Sequence, residues 1–449
     1  MYMLFSVTNL RLLGHTIVNI FHIRIDLVTF WAMASIVAKF DLTILGGGIV
    51  GLAVARQVAL RHPKLKICVL EKEKELATHQ SQRNSGVVHR GIYYKKNSLK
   101  SRFCIQGAEL IKKYCEERGL PYTQCGKLIV ATRQEELNVL HDLYANANLN
   151  NIKGIELVAK SRIQELQPGC DNAIEAVWSP NTAIVDWRQI ALSYAEDFKE
   201  MSGTIMTNFT AYDFKQGKRT SILIEDAKTG QNVETKTLVC CAGVYSDYFA
   251  RRTGNVGPRV VPFKGNYFLL SDRLTKTIKT NVYPVPNPKM PFLGVHITPR
   301  IDGSVLIGPT SLLTVGYEKY NDGSGNYNIG HTYHIFFKTG LMKMLRKKDY
   351  FKAGLLELYK FVSKERLTMD VKKLLPDVKE DDLIKTNFCG IRAQVVSHDG
   401  ELIDDFLFES GLYPSFSKVL HLRNCPSPAA TSSLALAERV VNILEERMI

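Results

Sequence analysis

Residues 40–51 read FDLTILGGGIVG, a short apolar run that ends in a cluster of glycines. The apolar and β-branched residues before the glycines predict a buried strand. Residues 49–61 place apolar side chains at helical spacing, and residues 65–73 (LKICVLEKE) form a second apolar run with a charged end. A strand, a glycine turn, a helix and a strand within about 35 residues predict a βαβ unit.

The spacing of the glycines indicates what this turn binds. Gly46, Gly48 and Gly51 fit the pattern G-x-G-x-x-G between a strand and a helix. In that pattern the first glycine permits the tight turn, the second lets a pyrophosphate approach, and the third allows close packing of the helix on the strand. Ile49 and Val50 begin the helix, whose positive end would hold the phosphates. The turn therefore predicts a dinucleotide site.

Glu71 restricts the choice of dinucleotide. It ends the second strand, 20 residues after Gly51. An acid at this place accepts hydrogen bonds from the adenosine ribose and repels a 2′-phosphate, which disfavours NADP. We therefore expect Glu71 and the adjacent Lys72 to contact the adenosine half. The alternative is a structural glycine turn without a ligand.

Two later segments favour FAD over NAD. LVCCAGVYSD (238–247) predicts a buried strand that ends in Ala-Gly, which flavoproteins with two dinucleotide folds often place near the cofactor. The turn at 426–431 precedes the last helix, whose N-terminus can stabilise the pyrimidine oxygen of the reduced flavin. A small polar loop at 84–86 can approach the cofactor without a clash. These segments add the predicted cofactor contacts Asn84, Ser85, Gly86, Ala242, Gly243, Pro428, Ala429 and Ala430.

The chain of 449 residues is too long for one compact core and predicts a discontinuous layout. Short apolar runs broken by Pro and Gly between 259 and 310 are typical of an antiparallel sheet. We predict an α/β fold, α+β overall: a Rossmann-like FAD-binding domain with an inserted antiparallel-sheet substrate domain. The FAD-binding domain takes residues 39–121, 186–255 and 386–449, and the substrate domain takes 122–185 and 256–385. Further predicted helices span 98–118, 133–146, 186–200 and the Lys-rich stretch 335–385.

Residues 1–38 are basic and contain one acid, Asp26. Such a composition resembles an organelle-targeting leader. The alternative is that translation starts at Met33, a few residues before the first strand. Since no run of about 18 uninterrupted apolar residues occurs, we expect no transmembrane helix.

The net charge of +14 and the pI of about 9.2 have three interpretations. Nucleic-acid binding is disfavoured, because no zinc finger, helix-turn-helix or aromatic-basic repeat occurs. Anionic substrates or an anionic membrane surface are compatible with the charge, and so is the basic bias of the mitochondrial matrix. The nine cysteines contain no C-x-x-C pair, and their odd number argues against a closed disulfide framework, so we expect a reducing intracellular compartment. No histidine–carboxylate set has metal-ligand spacing, so we expect no metal.

Ten segments resemble the L-2-hydroxyglutarate dehydrogenase family, within the broad group of D-amino-acid-oxidase-like flavoproteins. They run in order from about residue 40 to the end of the chain: ILGGGIVGLA, VLEKEKELATHQ, NSGVVHRGIYY, CGKLIVAT, IVDWRQIAL, CAGVYSD, VPFKGNY, YPVPNPKMPFLGVHITPR, IRAQ with DGELIDDF, and NCPSPAATSS. The glycine turn is common to many families, whereas NSGVVHRGIYY, PFLGVHITPR and PSPAATSS are far more specific.

The resemblance implies an FAD-dependent oxidation of L-2-hydroxyglutarate to 2-oxoglutarate. It also implies a mitochondrial setting and transfer of the electrons to a membrane quinone or a similar acceptor. Peripheral association with a membrane is compatible with this acceptor. The alternatives are an amine or amino-acid oxidase of the same fold and a flavin-binding protein without turnover.

Such a reaction needs a base for the hydroxyl proton and cations for two carboxylates. His89, in NSGVVHRG, is the first candidate for the base, and His296, in FLGVHITPR, is the second. Arg392 is the predicted carboxylate clamp, because its planar fork matches a carboxylate. Lys264 is the candidate for the distal carboxylate, and Tyr93 for a hydrogen-bond donor. For each of these residues a purely structural role is the alternative.

The sequence departs from the family pattern at several positions. Ser81-Gln82-Arg83 stands where the family tends to have Thr-Gly-His, and Arg90 stands where a small residue is usual. Lys264 replaces a common arginine and Thr310 a common asparagine. Arg90 adds a charge that would either bind a carboxylate or point to solvent. The substrate range therefore follows less firmly from the resemblance than the cofactor does.

Overall fold

The computed structural model describes residues 36–448 except 219, 229, 288–292, 322 and 324–328. The predicted leader at 1–38 lies outside the described residues apart from its last three positions. The strands are β1 (Ile36–Leu45), β2 (Ile67–Leu70), β3 (Val87–Val88), β4 (Tyr122–Thr123), β5 (Lys127–Ala131), β6 (Glu156–Ala159), β7 (Glu175–Ser179), β8 (Ala183–Val185), β9 (Thr204–Met206), β10 (Ala211–Gln216), β11 (Ile222–Asp226), β12 (Asn232–Cys240), β13 (Arg259–Leu270), β14 (Asn281–Pro284), β15 (His296–Pro299), β16 (Val305–Gly308), β17 (Leu312–Leu313), β18 (Leu383–Val396), β19 (Leu407–Ser410) and β20 (Val419–Asn424). The helices are α1 (Ile49–Arg61), α2 (Leu99–Arg118), α3 (Leu137–Leu149), α4 (Lys160–Leu166), α5 (Trp187–Glu200), α6 (Ser246–Arg252), α7 (Asp272–Thr275), α8 (Ile329–Phe337), α9 (Leu341–Arg346), α10 (Lys348–Val362), α11 (Lys364–Lys372) and α12 (Ser433–Arg447).

The first sheet has the parallel centre that the glycine turn predicts. Its strands follow the order β10-β11-β12-β1-β2-β9, and β20 pairs with β12 and β19. β1 pairs in parallel with both β12 and β2. Helix α1 begins directly after the extended Gly48 and packs with α5 and α12 into one apolar core. The arrangement confirms the Rossmann-like part of the fold.

The second sheet is largely antiparallel and follows the order β17-β13-β16-β15-β14-β5-β7-β6. β14 and β5 pair in parallel, as an exception. The apolar faces of this sheet pack in a core of their own with helix α11. The pattern of short apolar runs between 259 and 310 therefore predicted the inserted antiparallel sheet correctly.

Strand β18 belongs to a different sheet from the one that the sequence analysis predicted. It pairs antiparallel with β13 from Arg259 to Leu270, so residues 386–396 belong to the second sheet rather than to the FAD-binding domain. The predicted helical stretch 335–385 ends at Lys372, and β18 starts at Leu383. The reason is the long β13 partner, which buries Cys389, Ile391 and Val395 against the sheet. The other domain limits stay predictions.

A third sheet consists of three short strands in the order β3-β8-β4. Val87 and Val88 are buried and pair with Ile184 and Ala183 of β8. This pairing fixes the backbone immediately before His89. The helix that follows β8 begins as predicted, because the Asp186 side chain accepts hydrogen bonds from the backbone N–H groups of residues 188 and 189.

Candidate active site

The glycine turn packs so closely that it excludes side chains. Gly46 has a φ of +114°, and a Cβ there would lie 2.4 Å from the carbonyl oxygen of Cys241. A Cβ on Gly51 would lie 2.0 Å from the carbonyl oxygen of Gly46. Both distances are shorter than van der Waals contact. Helix α1 therefore approaches strand β1 as a phosphate-binding loop requires.

Two side chains hold the backbone of this turn. Glu71 Oε2 accepts a hydrogen bond from Gly47 N at 2.7 Å, and Oε1 accepts one from Glu73 N at 2.9 Å. Ser81 Oγ accepts a hydrogen bond from Ile49 N at 2.9 Å. Glu71 therefore shapes the turn as well as facing the cavity where an adenosine ribose is expected. Ser81, one of the departures from the family pattern, serves as an acceptor at the start of α1.

A cavity of about 870 Å³ joins the glycine turn to the second sheet. Its volume lies in the range of about 300–1,000 Å³ that ligand sites usually have. The predicted site residues that line it are Gly46, Gly48, Ile49, Val50, Gly51, Glu71, Lys72, Asn84, Ser85, His89, Tyr93, Ala242, Gly243, His296, Arg392, Pro428, Ala429 and Ala430. Gly86 and Lys264 are the predicted residues that do not line it.

The cavity wall fits FAD along its length. At one end the glycine turn and the start of α1 offer backbone to a pyrophosphate. Gly243 has a φ of +53°, and nothing lies within 4 Å of the position that its Cβ would take. The backbone there therefore borders open space. At the other end the turn at 426–431 faces the same cavity, where the sequence places the flavin ring.

The two residues outside the cavity have structural explanations. Gly86 has a φ of +80°, and a Cβ there would lie 2.7 Å from the carbonyl oxygen of Val185 in β8. Gly86 therefore serves the packing of the polar loop. Lys264 lies on β13 next to Gly265, which does line the cavity. Since successive side chains of a strand point to opposite faces, Lys264 points away from the cavity.

The turn at 426–431 is tied to the first candidate base. Thr431 Oγ1 accepts a hydrogen bond from His89 N at 3.1 Å. Helix α2 packs directly on the turn, since a Cβ on Gly107 would lie 2.3 Å from the carbonyl oxygen of Thr431. Helix α12 itself begins at Ser433, just after the turn. Residues 89 and 428–431, far apart in sequence, thus form one wall.

His89 and His296 both face this cavity and are uncharged. Burial holds the pKa of His89 well below 6.5, and the nearby charges of Lys127 and Arg392 lower it further. Burial also lowers the pKa of His296 to about 3. His296 Nδ1 lies 2.9 Å from the carbonyl oxygen of Gly294 and must donate to it, which leaves Nε2 as the basic nitrogen. His89 Nδ1 is buried and has no hydrogen-bond partner among the described residues.

Arg392 enters the site from β18, opposite Phe263 of β13. Its charge lowers the pKa of both histidines, which places its guanidinium near the two candidate bases. A Cβ on the neighbouring Gly390 would lie 2.3 Å from the carbonyl oxygen of Arg83. The second sheet therefore meets the polar loop of the cofactor side within van der Waals contact.

The sequence analysis missed Lys127 and Tyr283. Lys127 is buried, with 1% of its surface exposed, and its Nζ lies 5.1 Å and 4.5 Å from the ring centroids of Tyr93 and Tyr283. The Tyr283 ring stacks on His296 at 3.9 Å. The sequence does contain a signal for Lys127, because it is a charge at the start of an apolar strand (KLIVA).

Lys72, a predicted cofactor contact, forms ion pairs with two acids beside the cavity. Lys72 Nζ lies 2.8 Å from Glu318 and also pairs with Glu73. Glu73, His79 and Glu318 place their ligand atoms within 4.8 Å of one another, and the Lys72 ammonium already supplies a cation to the two acids. The expectation of no metal stays a prediction.

Arg83 and Arg90 differ in position. Arg83 lines the cavity and lies over the ring of Tyr320, with its Cζ 3.9 Å from the centroid. Arg90 is buried, pairs with Glu109 and donates Nε to the carbonyl oxygen of Asn181 at 2.7 Å. Both expected roles of Arg90, a carboxylate ligand and a solvent-facing charge, are therefore wrong, and the residue forms a structural ion pair instead.

Comparison with known proteins agrees with this geometry. A profile of the FAD dependent oxidoreductase family matches residues 41–443. The mitochondrial L-2-hydroxyglutarate dehydrogenase of Nematostella vectensis is 44% identical over 91% of this chain and 91% of its own. The corresponding enzyme of Bos taurus is 42% identical over 91% of this chain and 89% of its own.

Among solved structures, the FAD-bound, dithionite-reduced L-alpha-glycerophosphate oxidase of Mycoplasma pneumoniae has a similar fold. It superposes with a TM-score of 0.71 at 22% identity, over 91% of this chain and 95% of that one. This match shows the fold, and the family profile gives FAD as the cofactor. The chain therefore belongs to the family of FAD-dependent oxidoreductases, beside relatives named L-2-hydroxyglutarate dehydrogenase.

Proposed function

We propose that this chain oxidises L-2-hydroxyglutarate to 2-oxoglutarate. The observation that supports this most directly is the cavity itself, in which one wall is a dinucleotide-binding turn and another contains Arg392 and two uncharged histidines. FAD, when bound, supplies the acceptor for the hydride from the substrate's C2 carbon. The enzyme class and the cofactor follow from the family, and the substrate follows from the names of its relatives.

The residues have distinct roles in this reaction. Arg392 binds a substrate carboxylate through its planar guanidinium. His89 accepts the hydroxyl proton, and His296 is the second candidate for this role. A neutral imidazole is the form that accepts a proton, so the lowered pKa values keep both histidines ready. The Tyr93 hydroxyl, buried and without a partner among the described residues, donates a hydrogen bond to the substrate.

Anaerobic mixing of the oxidised holoenzyme with candidate substrates tests this function. L-2-hydroxyglutarate should bleach the flavin absorbance, whereas glycine and sarcosine should not. Bleaching by the amines alone would replace the proposal with an amine or amino-acid oxidase. A stable holoenzyme that no 2-hydroxy acid reduces would instead support a flavin-binding protein without turnover.

We further propose a mitochondrial protein that passes its electrons to a quinone-type acceptor at a membrane surface. The relatives are named mitochondrial. Among the described residues, no helix combines the length and the apolar character needed to cross a bilayer. We propose that any association with a membrane is peripheral.

One helical face suits a membrane surface. Helix α10 exposes Phe351, Leu355, Leu358 and Val362, which lie at helical spacing on one side. Residues 338–373 contain eleven Lys or Arg and four Asp or Glu, an excess of seven positive charges. An exposed apolar stripe in a basic surround is typical of helices that lie on anionic lipid. The same charge disfavours pairing of this face with a second copy of itself.

Vesicle flotation tests this association. The protein should float with vesicles that contain cardiolipin or phosphatidylserine and less with neutral ones. The triple variant Phe351→Ser, Leu355→Ser, Leu358→Ser should lose binding, whereas Leu60→Ser, on an exposed position of α1, should not. Equal flotation of both variants would remove α10 from this role.

A separate experiment tests the electron acceptor. Faster reoxidation of the reduced flavin by a ubiquinone analogue than by dioxygen would support a quinone-type acceptor.

A further inference from the structure

Lys127 differs from the other buried lysines of the described residues in its surroundings. It opens β5, paired with Asn281 of β14 on one side and Ser179 of β7 on the other. Among the described residues, three lysines are buried: Lys100, Lys127 and Lys360. Lys100 pairs with Asp404 at 2.6 Å, and Lys360 pairs with Glu357 at 2.9 Å and with Asp370 at 3.2 Å. No acid in the described part of the chain pairs with Lys127 in this way.

The groups around Lys127 do not neutralise it. The titratable groups that act on its charge are the thiols of Cys104 and Cys125. Burial raises the pKa of Cys104 to about 12 and that of Cys125 to about 11, so both thiols stay protonated. Burial likewise raises the pKa of Tyr93 and Tyr283. Lys127 is thus a buried ammonium that no acid among the described residues neutralises, which is costly unless an anion pairs with it.

The side chains around Lys127 include hydrogen-bond donors that an anion could use. The rings of Tyr93 and Tyr283, over which its Nζ lies, both line the cavity. The Tyr93 hydroxyl is buried and has no hydrogen-bond partner among the described residues, and the buried Tyr283 hydroxyl lies near the side chains of Thr298 and Ser85. Unsatisfied buried donors are rare in native proteins and indicate a missing partner. Tyr93 and Tyr283 line the cavity, whereas Lys127 does not line it and places its ammonium against their two rings. The ammonium and the two phenols are therefore one set of neighbouring donors, of which the phenols reach the cavity.

The position of this set matches the second end of a dicarboxylate. His89 and His296 each respond to the charges of both Lys127 and Arg392. The two candidate bases therefore lie within reach of two cations, one on β5 and one on β18. A substrate with a carboxylate at each end and a hydroxyl beside one of them meets both cations while its hydroxyl faces a histidine.

We propose that Lys127, with the hydroxyls of Tyr93 and Tyr283, binds the distal carboxylate of the substrate and so selects dicarboxylic over monocarboxylic 2-hydroxy acids. This inference rests on the proposed function, in which Arg392 binds the carboxylate next to the reacting carbon. Lys127 takes the role that the sequence analysis assigned to Lys264, which points away from the cavity.

Ligand binding to the FAD-loaded protein tests the proposal without turnover. Glutarate and butyrate, which lack the hydroxyl and cannot be oxidised, are titrated by calorimetry. Lys127→Met should weaken glutarate binding about a hundredfold, the usual loss for a buried charge pair, and change butyrate binding less than threefold. Lys279→Met removes an exposed lysine before β14 and is the matched control. An equal loss for both ligands, or no loss for glutarate, would overturn the proposal.

Proton uptake supplies a second test on the wild-type protein alone. Burial lowers the pKa of Lys127 from 10.5 to about 8, and a bound carboxylate raises it again. At pH 8.5, the protein should therefore take up a fraction of a proton when it binds glutarate. Calorimetry in buffers with different heats of ionisation measures this uptake. At this pH the thiols of Cys104 and Cys125, the phenols of Tyr93 and Tyr283 and both histidines are neutral, so none of them contributes. Lys127→Gln should abolish the uptake, and wild-type binding without uptake would sink the idea.

The two proposals fail in different ways. If L-2-hydroxyglutarate does not reduce the flavin but glutarate binds with proton uptake, the substrate assignment falls and the carboxylate site stands. If the wild-type protein oxidises L-2-hydroxyglutarate and Lys127→Met keeps the preference for dicarboxylates, the role of Lys127 falls and the reaction stands.

Discussion

Replacing Lys127 with methionine is expected to stabilise the FAD-loaded protein when no dicarboxylate is present. Burial lowers the pKa of Lys127 from 10.5 to about 8, and at about 1.36 kcal/mol per pKa unit this difference corresponds to about 3 kcal/mol of destabilisation at neutral pH. The cation–π contacts with Tyr93 and Tyr283 offset about 1–2 kcal/mol. The free energy of unfolding should therefore rise by about 1–2 kcal/mol in Lys127→Met.

The effect has a defined dependence on pH. Because the folded pKa lies below the unfolded one, the destabilisation is complete below about pH 8, decreases as the pH rises and vanishes above about pH 10.5. Urea unfolding of the wild type, Lys127→Met and the control Lys279→Met at pH 7 and pH 9.5 measures it. The advantage of Lys127→Met should shrink at the higher pH. A less stable variant at pH 7, or an advantage that grows with pH, would refute the reasoning.

Three further predictions concern the cofactor turn and the bases. His89→Ala should slow flavin reduction about a hundredfold while FAD stays bound, and an unchanged stopped-flow rate would leave His296 as the base. Gly51→Ala should lose FAD on gel filtration, since its Cβ would lie 2.0 Å from the carbonyl oxygen of Gly46; retention of the flavin would contradict the close packing of the turn. The pKa of His296 is lowered to about 3, so kcat/KM should not decline between pH 7 and 5, and a decline centred near pH 6.5 would show an ordinary histidine as the base.

The parts of the fold that depend on local chemistry could be predicted from the sequence. The glycine turn needs only the residues between 40 and 51, because the positive φ of Gly46 and the missing Cβ of Gly51 determine it. Helix α5 begins after Asp186 for an equally local reason, a side-chain cap. Helix α2 ends at the left-handed Gly119. Each of these signals lies within a few residues of the feature that it determines.

The sequence predicted Arg392 as a cation of the site, but the places of Lys264, Arg90 and Lys127 depend on strand pairing and could not be predicted. Lys264 and Gly265 are neighbours in sequence, and only their places on the sheet decide which one faces the cavity. Arg90 finds its acid on helix α2 and its carbonyl partner near β8. The sequence marks Lys127 as a charge at the start of an apolar strand, but that no acid among the described residues pairs with it becomes visible only when all neighbouring elements are in place.

The close approach of Gly390 to the carbonyl oxygen of Arg83 has a consequence for how the enzyme handles its substrate. The contact holds β18 against the segment that precedes the polar loop, and it lies two residues from Arg392. A motion that separates the second sheet from the first would have to break this contact. It would also move Arg392 away from the cavity together with β18. We therefore expect substrate and product to enter and leave without a separation of β18 from residue 83.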